Sequence, residues 1–148
     1  MPSFKGQYEY AVDEKGRIML PLKLRRALSP EAEGRFVVTR GEDPCLVLYP
    51  VNVWQLIEDR LRQQNLYQQN VRRFVRELLR WAEDVELDGQ NRLMIPRELL
   101  QWAGIRGRVL LVGMLDRIEL WNPETFAQHE LGVQQFGQEA EWVMGGSR

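Results

Sequence analysis

The sequence has little cysteine and little histidine, and each shortage excludes a class of site. Its one cysteine, Cys45 in "GEDPCLVLYP", excludes an intramolecular disulfide and favours a reducing compartment. No histidine lies near it in the sequence, so we interpret Cys45 as a small apolar strand residue. The one histidine, His129, has no cysteine or second histidine with which to bind a metal. We therefore predict no metal site and no cofactor.

Long apolar runs and a strong excess of either charge are also missing. No stretch is long enough to cross a bilayer, and the opening "MPSFKGQYEY" lacks the apolar core of a signal peptide. We therefore expect a cytoplasmic protein with no membrane partner. The formal net charge is −1, so any contact with a polyanion must be local. Of the 20 basic residues 17 are arginine, which favours planar partners such as phosphates and carboxylates.

Catalytic patterns are missing as well. The sequence contains no nucleophile elbow, no phosphate-binding loop and no carboxylates at the spacing of an acid and base pair. We predict that the protein is not an enzyme.

A nine-residue phrase occurs twice in the chain. "DEKGRIMLP", from Asp13 to Pro21, returns 75 residues later as "DGQNRLMIP", from Asp88 to Pro96. Aspartate, arginine, methionine and proline are identical between the two. Later segments extend the match over about fifty residues: "GRFVVTR" and "CLVLYP" in the first copy, "GRVLLVG" and "RIELWNP" in the second. The chain is therefore predicted to contain two copies of one unit.

Each phrase is predicted to form a hairpin. Polar and apolar residues alternate up to the aspartate, which predicts a half-buried strand. The loop then ends in Gly16, where a type I turn followed by a left-handed residue closes a hairpin. Asn91, which also tolerates positive φ, takes this place in the second copy. The aspartate and arginine, which we call the motif frame, should lie on paired strands and bond across each loop: Asp13 with Arg17, and Asp88 with Arg92.

Helices are predicted after each phrase and between the copies. "PLKLRRAL" and "PRELLQWAG" each begin at a proline, and Gly104 is a left-handed stop for the second. "VNVWQLIEDRLRQQN" and "QQNVRRFVRELLRWAED" have apolar residues at helical spacing, which predicts two amphipathic helices. The segment after Phe126 is poorly patterned, and we expect it to be frayed or held by a neighbouring subunit.

The doubled phrase, the opening "SFKGQYEYAVDEKGRIMLPLKLR" and the later "VLLVGMLDRIELWNPETF" resemble the MraZ family of bacterial proteins, within the AbrB-like superfamily of swapped-hairpin DNA-binding barrels. The resemblance implies a mainly β fold with helices (α+β). Two tandem half-barrels of one chain would form one pseudo-two-fold, double-psi-like barrel with two inserted helices. The predicted units are repeat 1 at 7–54, a helical linker at 55–82, repeat 2 at 83–126 and a C-terminal tail at 127–148.

The resemblance also implies a function. Members of the family are transcriptional regulators of the division and cell wall gene cluster. They form rings and bind repeated promoter boxes of double-stranded DNA. We therefore expect a homo-oligomer in the form of a ring that acts in the cytoplasm on the nucleoid.

The predicted DNA-binding residues come chiefly from an acid-free run in the first copy: Lys15, Arg17, Lys23, Arg25 and Arg26. On the residues alone an equal alternative is that the motif frame ties the hairpin together and the other cations are solvated. The resemblance favours DNA contact. In the second copy we also assign Arg92, but acids balance the charge there, so this repeat is expected to contribute less.

The linker helices have further features of interest. Arg72, Arg73, Arg76 and Arg80 share a polar helix face, which is either solvated or forms salt bridges between subunits. The apolar positions of both helices, Phe74 among them, exceed what a small barrel can cover and predict a subunit contact.

An alternative function also stands: a cytoplasmic structural or protein-interaction module of the same fold without sequence-specific DNA binding. The acid-free basic run favours the DNA-binding hypothesis.

Overall fold

The computed structural model describes residues 1–145, and within them the two copies contain the same strands and short helix in the same order, with one additional 3-10 turn in the first copy. The first copy contains β1 (Gln7–Ala11), β2 (Arg17–Met19), α1 (Leu22–Arg26), a 3-10 turn (Pro30–Ala32), β3 (Arg35–Arg40) and β4 (Leu46–Pro50). Helices α2 (Val51–Arg62) and α3 (Gln69–Arg80) follow. The second copy contains β5 (Glu83–Glu86), β6 (Arg92–Met94), α4 (Arg97–Trp102), β7 (Arg108–Met114) and β8 (Arg117–Trp121). The chain continues with α5 (Pro123–Ala127), α6 (Val133–Ala140) and a π-helical turn (Glu141–Gly145).

The two copies are interlocked through their strands. Six strands form one antiparallel sheet in the order β1-β7-β8-β4-β3-β5, and β2 pairs with β6 as a separate two-stranded ribbon. Strand β1 of the first copy pairs with β7 of the second, and β5 of the second pairs with β3 of the first. Each copy therefore supplies an edge strand to the other. The predicted α+β fold of two exchanged half-barrels is confirmed.

The expectation that the strands of each hairpin pair with one another is wrong. Tyr8 of β1 lies opposite Leu111, and Ile18 of β2 lies opposite Leu93 of the other copy. The turn itself forms as predicted, since Gly16 N–H donates to the Asp13 carbonyl at 3.0 Å. Beyond the turn, β2 buries its middle residue against its counterpart in β6. Alternation predicts which side chains are buried but does not specify the partner strand.

The main core lies between the ribbon and one face of the sheet. The ribbon and the two short helices contribute Ile18, Leu24, Leu93 and Leu99, each at most 1% exposed. Alternate residues of the central strands complete it: Phe36, Val38, Leu46, Leu48, Val109, Leu111, Ile118 and Leu120. Both copies supply this core, so neither has a complete one of its own.

The linker helices lie over the opposite face of the sheet. Trp54 of α2 is buried with Val37, Val47 and Tyr49 of the underlying strands. The Thr39 hydroxyl donates to the Leu78 carbonyl of α3 at 2.7 Å. Both helices form where their apolar spacing predicts them.

The C-terminal tail is more regular than its pattern indicates. Residues Val133–Ala140 form a helix, where the sequence predicts a frayed or externally held segment. Its largest side chain, Phe136, is 66% exposed. The last three residues of the predicted tail lie outside the described part of the chain.

Candidate nucleic-acid interface

The first loop is held together by its own aspartate. Asp13 Oδ1 accepts hydrogen bonds from the backbone N–H groups of Lys15 and Arg17, at 3.0 and 2.8 Å. Asp13 Oδ2 accepts a bond from Arg17 Nε at 2.6 Å. These bonds, the one from the Arg17 backbone foremost, hold the pKa of the Asp13 carboxyl below its usual value. The carboxylate is therefore charged at neutral pH and fixes the arginine side chain beside the loop.

The second loop has the same set of bonds. Asp88 Oδ1 accepts from the backbone N–H groups of Gln90 and Arg92, at 2.8 and 2.9 Å, and Oδ2 accepts from Arg92 Nε at 3.0 Å. The backbone bond from Arg92 is the largest cause that lowers the pKa of Asp88. Asn91 has a φ of 62°, against 81° for Gly16, as the predicted left-handed position requires. The motif frames are thus equivalent in both repeats.

Each frame arginine is fixed at Nε and open at its two terminal nitrogens. Within residues 1–145, no hydrogen bond or ion pair involves the Nη atoms of Arg17 or Arg92. Their side chains are 28% and 27% exposed. A guanidinium that is already oriented loses less side-chain entropy when it binds. Each can donate two parallel N–H groups to a phosphate or a guanine edge.

The β2–β6 ribbon brings the two frames onto one surface. Arg17 lies opposite Met94, and Met19 lies opposite Arg92, so these four side chains share the outer side of the ribbon. The middle residues point the other way, into the core. Met19 and Met94 are 36% and 55% exposed. The outer side therefore presents two arginines and two methionines, related by the pseudo-two-fold axis.

The tip of the first loop lies beside helix α4 of the other repeat. A surface cavity of about 280 Å³ separates them, and its lining includes Lys15, Arg97 and Arg106. Asp13 and Glu14 also line it, but Asp13 is already paired with the frame arginine. Three cations from two repeats therefore meet at one end of the ribbon. The corresponding tip of the second loop, Gly89 and Gln90, is uncharged.

The other predicted DNA-binding residues lie on α1, where they differ in surroundings. Lys23 and Arg26 are exposed. Arg25 is half-buried and its Nη1 donates to the Leu20 carbonyl at 2.6 Å, which ties the helix to the end of β2. Arg25 therefore has a structural contact that its two neighbours lack among the described residues.

Two cations at the interface were not assigned from the sequence. Arg97 reads as balanced by its neighbour Glu98, and Arg106 stands alone before Gly107. Both come next to Lys15 because the first loop crosses onto the helix of the second repeat. The swapped pairing implied by the family resemblance is the one sequence signal that could have predicted Lys15 beside Arg97 and Arg106.

Other kinds of site find little support in the described part of the chain. Residues 1–145 contain no group of three histidine, cysteine or acidic side chains arranged to hold a metal ion. His129 is exposed, with Nδ1 3.0 Å from the Thr125 carbonyl oxygen. Cys45 is buried, and burial raises the pKa of its thiol far above the neutral range. None of the helices within these residues has the length and apolar content of a membrane span.

Comparison with known proteins gives matches over most of the chain. A family model described as "MraZ protein, putative antitoxin-like" matches twice, at residues 3–77 and 78–141. A protein of Clostridium beijerinckii named "Transcriptional regulator MraZ" is 40% identical over 85% of this chain and 86% of its own length. Proteins of the same name from Syntrophomonas wolfei and Shewanella baltica are each 39% identical. Those alignments cover 88% and 84% of this chain, and 89% and 83% of the relatives.

Proposed function

Because the chain belongs to the MraZ family, we propose that it is a transcriptional regulator that binds double-stranded promoter DNA in a sequence-specific way. It acts in the cytoplasm on the nucleoid, at repeated boxes of the division and cell wall gene cluster. The DNA-binding surface is the outer side of the β2–β6 ribbon together with the cations at its ends. No catalytic role and no cofactor are part of the proposal.

The joint exposure of Arg17 and Arg92 on one ribbon carries this proposal. A two-stranded antiparallel ribbon fits the major groove of B-form DNA, where base edges differ in their donors and acceptors. The open Nη atoms of each arginine can donate to the O6 and N7 atoms of guanine. The exposed methionines between them suit the methyl group of thymine. The ribbon thus combines polar and apolar contacts that can distinguish one base pair from another.

The surrounding cations support contacts to the DNA backbone. Lys15, Arg97 and Arg106 at one end, with Lys23 and Arg26 on α1, suit phosphates. Phosphate contacts position a protein on the duplex without specifying sequence. This local charge supplies an attraction that the net charge of −1 does not.

Assembly into an oligomer supports binding to repeated boxes. One ribbon with two short strands offers few contacts. Several copies held together convert later contacts into intramolecular events, which raises the overall affinity without new contacts in any copy. We therefore propose that a homo-oligomer, in the form of a ring, is the DNA-binding species.

The test is the substitution Arg17→Ala. We expect loss of specific DNA binding with the fold and the oligomer intact, because a bidentate base contact contributes about 1–3 kcal/mol per copy. The measurement is fluorescence anisotropy on promoter DNA with repeated boxes, against random DNA of equal length. The control is Arg62→Ala, which removes an exposed arginine that pairs with Asp59 at 3.2 Å on α2. If Arg17→Ala aggregates or melts much lower than the control, the arginine has a structural role instead.

A second substitution compares the two repeats. Arg92→Ala is expected to weaken binding less than Arg17→Ala, because the frames are equivalent but the first loop has Lys15 at its tip where the second has the uncharged Gln90. Equal losses in the same titration would mean that both repeats contact DNA alike. If neither substitution changes binding, the alternative of a protein-interaction module without specific DNA binding is the better one.

A further inference from the structure

Helix α3 has a row of arginines that the proposed DNA-binding surface does not use. Arg72, Arg73, Arg76 and Arg80 lie within about 100° of one another around the helix axis. All four are exposed, and we call them the α3 arginine face. The one acid of the helix is Glu77, so α3 has three more positive than negative charges in a chain whose net charge is −1.

The opposite side of α3 packs on the body of the molecule. Val71, Val75 and Leu78 recur at spacings of four and three along the helix and are half-buried. Leu78 packs against the cluster that contains Trp54, and its carbonyl accepts the hydrogen bond from Thr39. This packing holds α3 on the face of the sheet opposite the ribbon. The α3 arginine face therefore points toward solvent.

Two of the four arginines are oriented by neighbouring groups. Arg72 Nη1 donates to the Tyr67 carbonyl at 2.8 Å. Arg80 Nε donates to Glu77 Oε1 at 3.0 Å, and its guanidinium carbon lies 4.5 Å from the centre of the Trp81 ring. The Nη2 atom of each has no hydrogen bond or ion pair within residues 1–145. An oriented guanidinium loses less side-chain entropy when its open nitrogens bind a ligand.

The other two arginines are unpaired within the described part of the chain. Arg73 and Arg76 form no hydrogen bond or ion pair with any group of residues 1–145. Glu77, the acid beside them on the helix, already pairs with Arg40 at 3.4 Å and with Arg80 at 3.0 Å. The charges of Arg73 and Arg76 are therefore available to an external anion.

We propose that the α3 arginine face binds the phosphates of a double-stranded DNA segment, separate from the segment on the ribbon. From Arg72 to Arg80 the helix rises about 12 Å, which is the rise of about three to four phosphates of one strand along a duplex. Each guanidinium can donate two parallel N–H groups to a phosphate. Phosphate contacts do not specify sequence, so this binding is independent of the promoter boxes.

Duplex DNA fits the α3 arginine face better than the acids of a second copy do. A duplex has about one negative charge per 1.7 Å of its axis. The most acidic strand of the described chain, β5, has Glu83, Asp84 and Glu86 among its four residues, or about one charge per 4 Å. The inference rests on the proposed function, which brings DNA to the protein.

One copy would then hold two DNA segments at once. The ribbon packs on one face of the sheet and α3 packs on the other, so the sheet separates the two binding surfaces. The segment on the ribbon is recognised by its bases, and the segment on α3 is held by its charge. The protein would thereby join a promoter box to a second stretch of duplex of any sequence.

The experiment measures whether promoter-bound protein takes up a second duplex. A duplex with repeated boxes is immobilised, loaded with the full-length protein, washed, and titrated with a labelled duplex of random sequence. Arg73→Gln/Arg76→Gln should weaken retention of the label by about tenfold. It should also reduce the slope of log affinity against log salt concentration by about 2, because each lost phosphate contact contributes about 0.9. The control, Arg60→Gln/Arg62→Gln, removes two exposed arginines of α2 and should behave as the wild type.

Three results would overturn the assignment of duplex DNA to this surface. Equal retention of the label by the α3 variant and the wild type would mean that the ribbons of other copies hold the second duplex. A smaller mass of the variant in light scattering would make the α3 arginine face a subunit contact. Tighter binding of single-stranded RNA of equal length, lost in the same variant, would assign the face to RNA.

Failure of the proposed function gives a different result. A wild-type protein that does not bind the immobilised boxes more tightly than random DNA would contradict sequence-specific recognition by the ribbon. The α3 arginine face is then tested by direct titration with the random duplex, where Arg73→Gln/Arg76→Gln must still bind more weakly than the α2 control. Equal affinities of the two variants would overturn the α3 arginine face as well.

Discussion

The last residue of each loop has a left-handed backbone, but the space around it differs between the two repeats. A Cβ atom added at Gly16 would lie 2.7 Å from the Ile95 carbonyl oxygen and 3.2 Å from Leu100 Cδ1. Asn91 has a side chain at the equivalent place in the second loop, where φ is 62°. The first loop is therefore packed against the opposite repeat more closely than the second.

At Gly16 we predict that asparagine, although native at position 91, is destabilising. The Gly16→Asn side chain must displace the Ile95 carbonyl, so we expect the free energy of unfolding to fall by about 1–3 kcal/mol. Urea denaturation measures it. The matched control is Gly89→Ala in the second loop, where no atom lies within 4 Å of the added Cβ, and its effect should stay within about 0.5 kcal/mol. A Gly16→Asn protein as stable as the control would show that the loop can shift.

At the scale of elements, the side chains of the β2–β6 ribbon that face the core stabilise the fold, and those that face solvent are available for binding. Ile18 and Leu93 face the core and are 1% and 0% exposed. The residues on either side of each face solvent. Successive residues of the same short strand therefore have different tasks.

Adjacent substitutions in β6 test this separation. Leu93→Ala should lower the free energy of unfolding by about 2–5 kcal/mol, because it leaves a cavity in the shared core. Met94→Ala should leave the melting temperature nearly unchanged, since that side chain is 55% exposed, yet weaken specific DNA binding. Thermal melts and anisotropy titrations on the same samples give both quantities. A Met94→Ala variant with wild-type affinity would remove the apolar contact from the proposed interface.

At the scale of the whole molecule, the two repeats depend on each other for their strands. Strand β1 pairs with β7 alone, β5 pairs with β3 alone, and β2 and β6 pair with each other. The main core also takes side chains from both halves. The molecule is therefore one folding unit and not two domains joined by a linker.

We predict that neither repeat folds when it is separated from the other. Fragments 1–82 and 83–148 should each fail to fold as monomers, because each lacks every partner of two of its four strands and half of its core. Mixed in equal amounts, they should regain a cooperative thermal transition, followed by near-ultraviolet circular dichroism. If fragment 1–82 alone unfolds cooperatively as a monomer, the exchange of strands is not required for stability.

Several features of the protein follow from the sequence alone because they depend on neighbouring residues. The left-handed positions at Gly16 and Asn91 follow from turn chemistry. The bond between Asp13 and Arg17 follows from a spacing of four across a tight loop. The linker helices follow from apolar residues at a period of 3.6. The repeated phrase also sets the number of units and the family to which the chain belongs.

Only the tertiary structure decided which of these local units meet. The pairing of β2 with β6, and not with β1, puts Arg17 and Arg92 on one surface and brings Lys15 beside Arg97 and Arg106. The same packing leaves no space for a side chain at Gly16, whereas Asn91 has one at the equivalent place, although the two turns are alike. A residue's alternation within a strand specifies its face, whereas the partner strand depends on burial shared across the whole chain. The candidate interface therefore depends on contacts between residues far apart in the sequence. Local sequence patterns predict each loop but do not predict which loops lie together.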